Sequence, residues 1–160
     1  MKSNFNVVEE SIYEFWGSSA TLPKEYKRII KSGFLLKKEH FFLKRLFNTS
    51  YFNWDDFSSK SMCEYFVNSI YLDVDNTNLD ELLECFIILT KEVYQKFIEV
   101  DKLGSNVTIV LISNENNAEL KFFINRDDEP AVLVEDLDEY SSEKILILDR
   151  HSIEIIISKA

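Results

Sequence analysis

The sequence predicts an α+β fold: a helical N-terminal half packed on a C-terminal antiparallel β-sheet. Two observations carry this. Up to about Val100 the apolar residues recur at intervals of three and four, the period of a helix with one buried face. After Gly104 the interval falls to two, in short β-branched runs divided by polar turns. A third observation sets the scale. The chain has 160 residues, 46% apolar and 14% aromatic, enough for one domain over 1–160 with a substantial core.

Helices are predicted at Val7–Trp16, at Pro23–Lys31 with Gly33 after it, at Leu35–Phe47 and at Phe57–Tyr71. The clearest follows in "NLDELLECFIILTKEVYQKFIEVDKLG". There Leu79, Leu82, Leu83, Phe86, Leu89, Val93, Phe97 and Val100 form an apolar stripe, and Asp80, Glu81, Glu84, Lys91, Glu92, Lys96 and Glu99 take the wet side. Asn78 stands as its N-cap, with Glu81 three residues on as in a capping box, and Gly104 marks the stop. Five strands are expected next: "NVTIVLIS", "AELKFFIN", "AVLVED", "KILILD" and "SIEIIIS". Their short connections predict an antiparallel meander.

Three glycines, Gly17, Gly33 and Gly104, are too few and too scattered for a phosphate-cradling glycine-rich loop. The start "MKSNFNVVEE" lacks an apolar signal region, and the runs "CFIIL" and "EIIIS" are too short to span a bilayer. Cys63 and Cys85 lack neighbours at metal-ligand spacing and read as reduced. A cytoplasmic location is therefore expected, with no membrane partner. Charge is segregated along the chain. Residues 1–50 carry nine Lys/Arg against five Asp/Glu, while residues 51–100 carry three against ten and residues 101–160 six against thirteen, for a net charge of −10. Such a balance disfavours nucleic acid and favours a basic partner.

The stretch "IYLDVDNTNLDELLE" suggests two metal sites at once. Asp73, Asp75 and Thr77 match the D-x-D-x-T nucleophile loop of haloacid-dehalogenase phosphatases, with Ser113, Lys144 and Asp149 available for the remaining roles. That chemistry needs Asp73 at the carboxyl end of a parallel strand, and the chain runs from Ser113 into "ELKFFI" without a crossover helix. Asp73 to Glu84 also approximate an EF-hand loop, but Asn78 stands where its glycine should be. The plainer reading makes the stretch an acidic turn whose carboxylates complement the next helix N-terminus. No cofactor, no metal site and no catalytic residue is assigned. His40 lies on an apolar stripe and reads as a core residue. His151 sits with Asp149, Arg150 and Ser152 in what reads as a hairpin turn, where neighbours in sequence cannot form a catalytic relay. Lys24 to Arg45 carry eight basic residues against two acidic and read as a solvated helix face.

Acid clustering in the β half remains. "NRDDEP" supplies Asp127, Asp128 and Glu129, and "VEDLDEY" supplies Glu135, Asp136, Asp138, Glu139 and Tyr140. Both flank the expected strand "AVLVED". Such clusters read either as a solubilising loop or as a binding surface; neighbouring carboxylates repel one another, a cost that a binding role would explain. Asp55, Asp56, Asp73 and Asp75 form a secondary acidic region. The segment "EPAVLVEDLDEYSSEKILILD" resembles the acidic strand-and-turn segments of bacterial toxin immunity proteins, including those of contact-dependent growth inhibition. That resemblance implies a non-enzymatic antitoxin whose partner is a cognate toxin C-terminal domain, basic and often a nuclease. A phosphatase centred on Asp73 and Asp75 and an acidic adaptor are the alternatives.

Overall fold

The computed structural model describes residues 1–75, 77–133 and 136–160. Its elements run β1 (Lys2–Ser3), α1 (Glu9–Gly17), α2 (Lys24–Lys31), β2 (Phe34–Lys37), β3 (His40–Leu43), α3 (Lys44–Thr49), α4 (Lys60–Val67), β4 (Ser69–Tyr71), α5 (Leu79–Val100), β5 (Val107–Ser113), β6 (Ala118–Ile124), β7 (Lys144–Asp149) and α6 (Arg150–Lys159). Short 3-10 turns sit at Trp54–Asp56 and Leu137–Glu139. The fold is α+β, with five antiparallel strands in the order β1-β7-β5-β6-β4 and a separate β2-β3 hairpin.

Helix α5 organises the molecule. Asn78 Oδ1 accepts from the Glu81 amide at 3.3 Å and caps it, as the sequence predicts. Its middle is buried well beyond the predicted stripe, because Ile87, Ile88, Thr90 and Tyr94 are covered as well. One side meets the inner face of the sheet, where Val107, Ile109, Leu111, Leu120, Phe122, Leu146 and Leu148 share its core; α1 and α2 cover the other. A helix enclosed on most sides needs apolar residues on most sides. The outer face of the sheet, with Val110, Phe123 and Ile145, is also covered, by Val132, Leu133, Leu137 and Tyr140 of the 125–143 segment. Burial on both faces accounts for the near-continuous apolar run of β5.

Several element predictions are corrected. Leu35–Phe47 is the β2-β3 hairpin followed by α3, not a helix. Its two-residue turn places Lys38 at φ 50° and Glu39 at φ 64°, a left-handed pair that usually announces itself with Asn-Gly and here does not. The Phe57–Tyr71 helix stops at Val67, because the Asn68 side chain is engaged by two strands and Ser69–Tyr71 join the edge of β6. "AVLVED" forms no ladder over Ala131–Leu133. Pro130 precedes it, and β5, β6 and β7 already have two neighbours each. "SIEIIIS" is helix α6. A short apolar run fits either period, and Asp149 decides the matter by accepting the Ser152 amide at 2.8 Å as N-cap. The sheet is therefore not a meander of five C-terminal strands, since β1 and β4 come from the N-terminal half and β7 returns beside β5.

Two α4 side chains, one helical turn apart, join the hairpin to the sheet. Glu64 is fully buried and accepts the Phe41 amide of β3 and the Ile124 amide of β6, both at 2.8 Å. Arg126 closes on the same carboxylate through Nη1 at 3.0 Å and Nη2 at 2.8 Å. Asn68, also fully buried, accepts the Leu43 amide and donates to the Phe41 and Phe122 carbonyls. A carboxylate and an amide thus do the work of a missing ladder between β3 and β6.

Candidate acidic interface

The 125–143 segment is fixed at its ends. At the start, the Glu129 amide donates to the Arg126 carbonyl, and the Glu129 carboxylate turns onto the N-terminus of α4. It accepts from the Ser61 amide at 2.8 Å, the Ser61 hydroxyl at 2.6 Å and the Lys60 amide at 3.3 Å. Burial works against its charge, yet the Ser61 hydrogen bonds and the nearby Arg126 hold its carboxyl below the usual carboxylate range. Toward the end, Asn4 clamps the chain. Its Nδ2 donates to the Leu137, Tyr140 and Glu143 carbonyls and its Oδ1 accepts the Ile145 amide at 2.7 Å. Asp136 caps the 3-10 turn by accepting the Asp138 amide, and Leu137 is buried beneath it. A cavity of about 220 Å³ lies beside this packing, lined by Val132, Leu133 and Leu137 together with Phe123 and Ile147 of the sheet.

This arrangement sorts the predicted partner-binding residues. Asp127, Asp128, Asp138 and Glu139 are exposed. Asp136 is exposed but engaged as a cap. Glu129 is committed to α4, and Tyr140 is half-buried against the outer-face core. Glu135 lies outside the described residues. Among the described residues no strand lies between the two acid clusters, where one was expected.

The secondary acids lie elsewhere. Asp55 and Asp56 are exposed in the 3-10 turn capped by Asn53. Asp73 is exposed, and its amide donates to the Tyr26 hydroxyl at 2.6 Å. Asp75 accepts from the Thr77 hydroxyl at 2.6 Å and the Thr77 amide at 2.9 Å, a local turn that holds its carboxyl below the usual range. The strand before Asp73 is the antiparallel edge strand β4, not the parallel strand a phosphatase loop requires. Thr77, Ser113 and Lys144 do line one cavity of about 380 Å³, but neither Asp73 nor Asp75 lines it.

Other polar residues have structural partners. His40 is buried in β3, its Nδ1 is 2.7 Å from the Lys38 carbonyl, and its ring stacks on Phe42. His151 is exposed in the first turn of α6, where a hairpin turn was expected. Arg150, read from the sequence as a turn residue, pairs with Asp101 at 2.8 Å and Glu154 at 2.9 Å and ties the end of α5 to the start of α6. Burial pushes the Cys63 and Cys85 thiols up to about 11, which keeps both protonated at neutral pH. No cluster of three or more His, Cys, Asp or Glu side chains able to hold a metal exists among the described residues, and no helix among them is long and apolar enough to cross a membrane. Sequence reading missed Asn4 and Ser61 as the residues that fix the acidic loop. Their partners lie between 68 and 141 residues away, and no local pattern marks them.

The model of the uncharacterized protein PM0498 family matches residues 3–158, and the chain belongs to that family. No curated protein and no solved structure matches it.

Proposed function

We propose that this chain is an immunity-type inhibitor that binds a cognate, basic toxin domain of nuclease type and covers its active site with the acidic loop over 127–140. The observation that carries the reading is the anchored loop itself. Asp127, Asp128, Asp138 and Glu139 project to solvent from a segment already tied down by Glu129 and Asn4. Ordering a loop on binding costs affinity, and a loop held beforehand avoids much of that cost. Carboxylates so placed stand in for substrate phosphates in a basic cleft, and opposite charge speeds encounter. The reading needs no catalytic group and assigns none. Its working location is the cytoplasm of the cell that makes the toxin.

The test uses the toxin domain whose gene directly precedes the one for this chain. Mixing the two purified proteins should give a one-to-one complex by light scattering and abolish the nuclease activity of the toxin domain. A toxin domain that stays active and elutes alone at micromolar concentrations of both proteins would remove the basis for the reading.

A further inference from the structure

We propose that the groove between α2, the 18–22 segment and α5 binds a compact, multiply charged phosphate of the di- or triphosphate class. The groove encloses about 520 Å³, within the range of small-molecule sites. Lys27, Lys31, Lys91 and Lys96 line it, against one acid, Glu92. Lys27 and Lys31 lie one helical turn apart on α2, and both are exposed. Neither has a carboxylate partner among the described residues. Lys91 is positioned by donating from Nζ to the Trp16 carbonyl at 2.7 Å, and Lys96 pairs with Glu99 at 2.7 Å.

The remaining lining suits the same ligand. Ser18, Ser19 and Thr21 bring hydroxyls to one wall, while the buried side chains of Leu22, Ile30 and Ile88 supply an apolar floor. Ser18 Oγ accepts the Ala20 amide, which leaves its hydrogen free to donate. Like charges gathered in one groove of a chain with net charge −10 repel one another at a cost that a bound anion removes. The strongly acidic remainder of the chain sets the ligand's size. Charges are screened over about 8 Å at physiological salt, so a compact phosphate meets chiefly the groove's own charges, four lysines against Glu92. A long nucleic-acid strand would extend beyond these lysines along a chain whose net charge is −10.

The inference is independent of the acidic loop, since no residue of that loop lines the groove. The test is titration of inorganic tripolyphosphate into the full chain at about 0.15 M sodium chloride without divalent ions, followed by amide NMR and calorimetry. Saturable binding is expected, with shifts concentrated in residues 18–31 and 88–96. Lys27→Gln/Lys31→Gln should weaken it about tenfold or more. Lys37→Gln/Lys38→Gln, on the tip of the β2-β3 hairpin, should leave it unchanged. Circular dichroism is the fold control for both variants. Absence of saturable binding, or equal loss in the two variants, overturns the proposal. Tighter binding of a short single-stranded oligonucleotide with the same shifts also overturns it, in favour of an extended polyanion surface.

Discussion

Glu64 has no exposed surface, and every hydrogen bond its carboxylate accepts crosses to another element or to Arg126. Glu64→Gln would set an amide N–H against the backbone N–H of Phe41 or Ile124 and take from Arg126 the carboxylate it closes on, leaving Glu129 at 4.0 Å as the nearer remaining anion. The expected loss is about 3–5 kcal/mol in urea unfolding, the usual cost of breaking a buried pair by removing one partner. Thr90 is the opposite case. Its Oγ1 is the one buried side-chain N or O atom among the described residues with no hydrogen-bond partner. Thr90→Val keeps the shape and removes the orphaned hydroxyl, so it should stabilise the protein by about 1 kcal/mol in the same assay. Neither role was legible in the sequence. An acid within "KSMCEYFV" and a threonine within "FIILTKE" look ordinary until the tertiary structure shows what surrounds them.

At the scale of elements, legibility followed length and capping. The span of α5 was readable because 22 residues sustain one period between an Asn78 cap and a polar end. The β5, β6 and β7 strands were readable because their alternation is bounded by clear turns. The hairpin at 34–43 was hidden by a turn without glycine or asparagine, and α6 by four isoleucines that fit both periods. Of the candidate interface, the exposed carboxylates were legible as an acid-rich stretch, but their anchoring was not. Glu129 is the pin between loop and helix. Glu129→Ala should cost about 2 kcal/mol, in line with charge-assisted hydrogen bonds, and should speed amide exchange both in residues 126–133 and at the N-terminus of α4. Faster exchange at only one of the two would separate loop from helix and contradict the coupling.

Glu129, Glu119, Asp101 and Asp149 each resist the effect of burial through hydrogen bonds, and each carboxyl is held below the usual carboxylate range. Depressed carboxyls leave the folded state with fewer protons than the unfolded state near pH 4, so stability rises with pH there. The melting temperature should hold between about pH 5 and 7 and fall as pH drops below about 4, where the unfolded chain takes up protons that the folded carboxyls resist. A melting temperature that rises on acidification from pH 5 to 3 would show that relief of the net negative charge outweighs these four groups.

The proposed recognition of a basic toxin domain turns on surface charge as well. The most direct test is titration calorimetry of the cognate toxin domain against the wild-type chain and against Asp128→Lys/Asp138→Lys/Glu139→Lys, with circular dichroism as the fold control. These three side chains are exposed, and reversing them spares the Glu129 and Asp136 hydrogen bonds that shape the loop. The predicted result is a folded variant whose affinity falls by orders of magnitude, with the remaining wild-type association slowing as salt rises. Unchanged affinity in a folded variant would contradict the account and place the interface elsewhere, with the exposed Asp55, Asp56, Asp73 and Asp75 the next to reverse.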